Sequence, residues 1–447
     1  ITQRDSEKAT DNTITVSTTD DATANITIED VNINSYGDAI DVGSSGANIT
    51  LEGDNKLNSE YGSGLHVSDG DVTITGSGSL EAGSNNDSNN NAAIGSHENE
   101  AMSGDITIGG DAQVTAVSRD DGAGIGSGDM GEMSGDITIG DNAQVTAWSE
   151  TGGAGIGSGR ESNMSGNITI GGSAQVTAGS NSETAGIGSG NNGVFTSTGR
   201  VVIRDSAKVT AIGENEGAGI GTGEDELMAG MIIIQDNAQV TAIAGDRAAA
   251  IGSDNLDEMT GTIIIIGNAR VTTGILDDDD VSFDYNTKEI KYTLDENATG
   301  YIGDSKYSNH ESDEGHYIIG PDVTINGISG SDIEALKDYI NMRLSGENHD
   351  GEPENLTKLD VRSENGEFTV TAEGEGAVEK ILYGGSENVP TAPGTYPVTC
   401  VVRIGEETIE FQIGTYGVPE PAPQPEPMAH HERIQLYRVA DKQGRSI

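Results

Sequence analysis

Between residues 92 and 273 one pattern of apolar and polar positions returns six times. "GDITI" (104–108 and 135–139), "GNITI" (166–170), "RVVI" (200–203), "GMIII" (230–234) and "GTIIII" (261–266) share one frame. "AQVTA" (112–116, 143–147, 174–178, 238–242), "AKVTA" (207–211) and "ARVTT" (269–273) keep the same beat. A glycine phrase completes each unit: "AAIGS" (92–96), "GAGIGSG" (122–128 and 153–159), "TAGIGSG" (184–190), "GAGIGTG" (217–223) and "AAAIGS" (248–253). Its isoleucines, Ile94, Ile125, Ile156, Ile187, Ile220 and Ile251, are 31, 31, 31, 33 and 31 residues apart.

Alternation within the first two phrases is clean. In "DITI" the isoleucines face opposite to Asp and Thr, and in "AQVTA" valine faces opposite to Gln and Thr, the period-two signature of a half-buried strand. No helical period is present. Three short strands per fixed-length unit, each pairing with its copy in the next, predict a parallel β-helix rising about 4.8 Å per coil. The glycine phrase then reads as one corner of each coil, where φ > 0 and close backbone stacking are needed. A phosphate cradle would require a following helix and a lysine, which none of the copies has.

Further columns keep the beat. Met102, Met133, Met164, Phe195, Met228 and Met259 predict a stacked apolar column. Asp111, Asn142, Ser173, Ser206, Asn237 and Asn268 predict a column of small polar turn residues able to bond along the axis. Residues 12–91 read as shorter, irregular coils of the same kind, with "GDAIDVG" (37–43) and "GSGLHVS" (62–68) in place of the glycine corner. The rod is expected over 1–273, as eight to ten coils about 40–50 Å long.

After Thr273 the beat stops. Residues 274–350 are expected to cap the rod and connect onward, with one helix over 331–344 carrying Ile333, Leu336, Ile340 and Leu344 on one face and Ser331 as its cap. Residues 351–417 read as a small β-sandwich, 418–429 as a Pro-rich linker, and 430–447 as one strand of a truncated or partner-pairing domain.

Composition narrows the function. With 74 acidic and 23 basic residues the formal charge is -51, which excludes nucleic acid and anionic membrane surfaces as partners. No apolar run is long enough to span a bilayer. The one cysteine, Cys400, excludes an internal disulfide framework. The start at Ile1, without a signal segment, suggests a processed or cropped form.

Four kinds of candidate chemistry remain. The outward columns Gln113, Gln144, Gln175 and Gln239, with Thr115, Thr146, Thr177, Thr210 and Thr241, form a flat uncharged ladder suited to docking a linear polysaccharide. Aromatic residues, the usual sugar platforms, are scarce there, and only Trp148 follows a repeat strand. Asp277, Asp278, Asp279 and Asp280 offer carboxylates for Ca²⁺ if they lie in a loop, since on a strand they would alternate faces. His430 and His431 are too few ligands for a metal site. The stacked Asp105 and Asp136 are the nearest thing to a paired-carboxylate acid–base site. They read better as solvated outward residues, so no catalysis is expected. No cofactor other than Ca²⁺ is considered.

The outward position held by Thr107, Thr138 and Thr169 becomes Val202, Ile233 and Ile264. A strand apolar on both faces is covered on both, here by the C-terminal region or by another chain. The terminal "RIQLYRV" could also add to a neighbour's sheet edge, so self-association is kept open.

"NITIEDVNINSYGDAIDVG", "LEGDNKLNS" and the "AAIGS…GDITI…AQVTA" series resemble the secreted β-helix proteins of Gram-positive gut bacteria, often labelled carbohydrate-binding domain-containing. "YGGSENVPTAPGTYPVTCVV" resembles the immunoglobulin-like modules that follow such rods in bacterial surface proteins. The resemblance implies an extracellular, secreted or cell-wall-associated protein engaged in adhesion or in binding polysaccharide, host glycan or host protein. It transfers no binding residue. Pectate lyases and polygalacturonases share the fold, but the "NTD", "GHG" and "RIK" phrases of the latter are absent from this chain.

Overall fold

The computed structural model describes residues 1–18, 22–84, 86, 90–224, 227–253, 259–296, 298–303, 315–336, 339–341, 356–364, 367–405 and 407–419. They are all-β apart from one helical turn, and most strands lie in long parallel sheets of β-helix or solenoid type. The chain visits three sheets in turn. The glycine sheet holds the two-residue strands, such as Ile125–Gly126 and Ile156–Gly157. The isoleucine sheet holds Ile137–Ile139 and its copies, and the valine sheet holds Gln144–Ser149 and its copies. Each strand pairs with its equivalent one coil away. In the regular coils the equivalent residues face each other without slip, as in Ile125↔Ile156, Thr138↔Thr169 and Val145↔Val176.

Register of this kind puts like on like. Ile106, Ile108, Val114, Ala116 and their copies fill a continuous interior. Met102, Met133, Met164, Phe195, Met228 and Met259 stack inside as a fourth column, each joined to the next by one parallel bridge and none exposed. Buried serines tie coils together: the Gly128, Gly159 and Gly190 N–H groups donate to Ser96, Ser127 and Ser158 Oγ of the preceding coil. The glycine that follows the isoleucine of the repeated phrase is sterically required. Gly126 has φ +143°, and a Cβ there would lie 1.7 Å from the Gly157 carbonyl oxygen. The same holds along Gly95, Gly157, Gly188, Gly221 and Gly252.

Past Thr273 the structure departs from the sequence expectation. The coil path does not stop. Ile302–Gly303 pairs in parallel with Ile251–Gly252, His316–Ile319 with Thr262–Ile265, and Thr324–Ile325 with Val271 and its neighbour. The expected helix over 331–344 is a single turn, Ile333–Leu336. Ile340 instead sits in the strand Ile340–Asn341, paired with Ile302–Gly303. The open end of a parallel ladder offers N–H and C=O groups that a lone amphipathic helix does not satisfy. Leu344 lies outside the described residues.

Two further elements pack on the outside. The long strand Arg270–Asp284 leaves the valine sheet and pairs antiparallel with Glu289–Leu294, forming a strap. The strap runs back over the rod. Leu276, Val281, Phe283 and Ile290 cover Val117, Trp148, Ile212 and Ile243, an outward apolar column of the valine sheet. Trp148 is fully buried, 6.3 Å from Phe283 between ring centroids, and a Cβ at Gly179 would press to 3.1 Å from both Trp148 and Ile290. At its tip Tyr285 donates to Glu150, Arg119 lies over the Tyr285 ring, and Lys288 pairs with Glu81.

Leu356–Glu364 and Glu367–Gly374 prolong the isoleucine sheet, the first in parallel and the second as a hairpin. Ala377–Tyr383, Gly394–Ile404 and Glu407–Val418 form a separate three-stranded antiparallel sheet. Its inner face packs on the outside of the isoleucine sheet. Val398, Cys400, Val402, Ile409 and Phe411 bury Ile233, Ile264, Ile318 and Leu359, with Val202 at the margin. The two layers of the C-terminal sandwich are therefore this sheet and the rod itself. The Pro-rich linker beyond Glu420 and the 430–447 segment lie outside the described residues.

Candidate functional site

The polar ladder forms on the outside of the valine sheet. Gln113, Gln144, Gln175, Lys208 and Gln239 stand in one register column and are exposed. Thr115, Thr146, Thr177, Thr210 and Thr241 stand in the next and are half-buried. Neighbouring rungs are about 4.8 Å apart. Beside the glutamines runs the column of small turn residues, and together they line an open groove of about 460 Å³ along Asp111, Asn142, Gln144, Ser173, Gln175, Ser206, Lys208 and Gln239. Some turn residues bond along the axis: Asn142 Nδ2 donates to Asp111 Oδ1 at 3.0 Å, and Asn268 Nδ2 to Asn237 Oδ1 at 3.3 Å. Groove and ladder repeat once per coil.

Trp148 plays no part in this surface, because it is covered by the strap and its indole N–H donates to Glu150. The exposed aromatic pair lies elsewhere. Tyr36 and Tyr61, 72% and 48% exposed, sit with ring centroids 4.6 Å apart on successive early coils. Asp277–Asp280 belong to the strap strand, at the bulge between Leu276 and Val281, not to the loop on which the Ca²⁺ expectation depended. The side chains of Asp278, Asp279 and Asp280 lie outside the described residues. Asp105 and Asp136 are occupied in holding coils together. The Asp136 N–H donates to Asp105 Oδ1 at 2.8 Å, and Asn167 N–H and Nδ2 donate to Asp136 Oδ1 at 2.8 and 2.9 Å.

Sequence reasoning passed over a second site. Asp41 and His66 pair in register with Gly95, so they hold, in the early coils, the position that glycine holds downstream. His97 and Glu100 follow Gly95 on a tight turn, closed by the Glu100 N–H to the His97 carbonyl and by Ser96 Oγ to the Glu100 carbonyl. Asp38 reaches in from the coil of Asp41 and is fixed by the Ser63 N–H at 2.8 Å. The imidazoles of His66 and His97 stack with centroids 3.8 Å apart and planes within 4°. His66 Nδ1 lies 2.9 Å from Asp41 Oδ1 and 4.0 Å from Asp38 Oδ2, and its Nε2 is 2.8 Å from Glu100 Oε2. His97 Nε2 is 2.7 Å from Asp38 Oδ1, with Nδ1 3.6 Å from Glu100 Oε2.

Burial is the largest single influence on His66 and disfavours its cation. The hydrogen bonds to Asp41 and Glu100 and the charge of Asp38 outweigh it, holding the His66 pKa above the ordinary histidine value. Burial likewise favours the neutral acid at Asp38, but the hydrogen bond and charge of His97, with the Ser63 N–H, hold its pKa below the usual carboxylate range. Among the described residues this is the group of histidines and carboxylates whose donor atoms, on Asp38, His66 and His97, all lie within 4.8 Å of one another. A signal was available. Aligning "GDAIDVG" and "GSGLHVS" on the glycine corner sets two titratable residues in a glycine column, and His97 follows His66 by 31 residues.

No helix among the described residues is long and apolar enough to cross a membrane. No protein-family model, curated protein or solved structure matches the chain.

Proposed function

We propose that this chain is an extracellular β-helix rod that acts as a structural and adhesive surface element and binds polysaccharide along its polar ladder, without catalysing a reaction. The observation that carries the reading is the ladder's position outside both covers. The C-terminal sheet lies over the isoleucine sheet, the strap lies over the apolar column of the valine sheet, and the Gln and Thr columns are left open beside a groove that repeats once per coil. A linear polymer with repeating hydroxyls meets a donor–acceptor pair on each rung, presented by a backbone already held in register. The resemblance to secreted surface proteins supports an extracellular location. On this reading the C-terminal strands are an immunoglobulin-like module whose second layer is lent by the rod.

The test is binding to a panel of soluble and insoluble polysaccharides, with assay of released sugar. Saturable binding that falls at least tenfold in Gln144→Glu/Gln175→Glu, with no sugar released, is the expected result. Unchanged affinity in that variant, or no binding at all, overturns the ladder as the contact surface, and sugar release overturns the non-catalytic reading. The exposed Tyr36–Tyr61 pair favours a second location, since aromatic faces stack on sugar rings. Loss of binding in Tyr36→Ala/Tyr61→Ala but not in the glutamine variant moves the contact there.

A further inference from the structure

We propose that Asp38, His66 and His97, whose donor atoms all lie within 4.8 Å of one another, form a binding site for a divalent cation of the zinc class, with Asp41 beside His66 and Glu100 orienting its imidazole. The three side chains come from three successive coils, so parallel register, not sequence proximity, assembles them. His66 Nδ1 faces Asp41 Oδ1 at 2.9 Å and Asp38 Oδ2 at 4.0 Å, and His97 Nε2 faces Asp38 Oδ1 at 2.7 Å. These separations bracket the ~3.3 Å edge of a tetrahedron with metal–ligand bonds of about 2.0–2.1 Å.

The outer ring nitrogens fit the same assignment. Metal on His66 Nδ1 and His97 Nε2 leaves His66 Nε2 and His97 Nδ1 as N–H donors. His66 Nε2 is within hydrogen-bond distance of Glu100 Oε2 at 2.8 Å, and His97 Nδ1 lies 3.6 Å from the same atom. A carboxylate behind a ligating histidine sets its tautomer and raises its basicity. Two imidazole nitrogens with one carboxylate select Zn²⁺ or Co²⁺ over Ca²⁺ and Mg²⁺, which take oxygen ligands.

Parallel stacked rings direct their lone pairs along parallel planes, so one ring must turn for both to meet a single ion. His97 is the ring that turns: its side chain is 33% exposed and sits at the rim, against 9% for His66.

The test uses the full chain, stripped with chelator, in a His430→Gln/His431→Gln background that removes the tail histidines. Calorimetric titration with Zn²⁺ is expected to give one site per chain, and Co²⁺ the intense visible bands of a four-coordinate ion. His97→Gln, at the rim, should weaken Zn²⁺ binding at least 100-fold while leaving the circular dichroism unchanged. Glu100→Gln should weaken it about 10–100-fold through the orienting contact alone, and millimolar Ca²⁺ should not compete. No stoichiometric Zn²⁺ binding, or binding undiminished in His97→Gln, overturns the site. Displacement by Ca²⁺ overturns its assignment to the zinc class.

Discussion

The isoleucine sheet carries one outward column that behaves in two ways. In its first half the column is Thr107, Thr138 and Thr169, half-buried, and among the described residues no apolar cluster covers it. In its second half the same backbone position, in the same register, is Val202, Ile233, Ile264 and Ile318. There Ile233 is 4% exposed, Ile264 and Ile318 not at all, and the C-terminal sheet lies on top. Strand pairing does not separate the halves, because both run in the same parallel register over apolar inward residues, isoleucine throughout the first half and isoleucine with Val201 and Tyr317 in the second. The outer side chains decide whether a coil presents a solvated wall or a docking floor: this column, and beside it Met231, which follows Asp105, Asp136 and Asn167 in the neighbouring outward column and also packs under the cover.

The sharpest way to break that contrast is a charge. Ile264→Asp places a carboxylate with no partner between two layers and should cost about 4 kcal/mol, enough to undock the C-terminal sheet. Hydrogen exchange over 394–418 would rise while the amides of 104–170 stay protected. Next in size is the covering side. Phe411→Ala, in the same cluster, should cost about 3 kcal/mol. Cys400 reports the event, since burial pushes its thiol up to about 12. It should resist a thiol reagent at pH 8 in the native chain and react readily in the variant. Ile233→Thr restores the upstream letter under the cover and should cost about 1–2 kcal/mol by urea unfolding, through an unpaired hydroxyl and a lost methyl. Thr138→Asp, the counterpart of the first change on the open half, should stay within about 0.5 kcal/mol. A large effect there would mean that the upstream wall is also covered.

The repeat was legible because stacking rewards identity. An isoleucine above an isoleucine at constant spacing leaves a period that survives in the letters, as does the obligatory glycine at Gly126 and its copies. The cover was legible for the same reason, as three outward apolar residues in step. The strap was not, although Val117, Trp148, Ile212 and Ile243 form just such a column. They lie one residue beyond the repeated phrase, and Gly179 interrupts them. The last coils were hidden by insertions: Ile302 follows Ile251 by 51 residues and Ile340 follows Ile302 by 38, so the pairing persists after the period has gone. In residues 331–344 a helical spacing of apolar side chains competed with an open sheet edge, and the edge took Ile340. The histidine cluster was invisible to motif reading because its ligands are neighbours only across coils.

The strap also sets an order in time. Coils 92–273 are made first, and each can close on the one before it. Val117 and Trp148 stay bare until residues 276–290 have been made and have swung back over them. During that interval the growing rod exposes a greasy seam along one side, and anything that delays the strap lengthens the exposure. A chain stalled near residue 270 should therefore be stickier than either a shorter or a finished one.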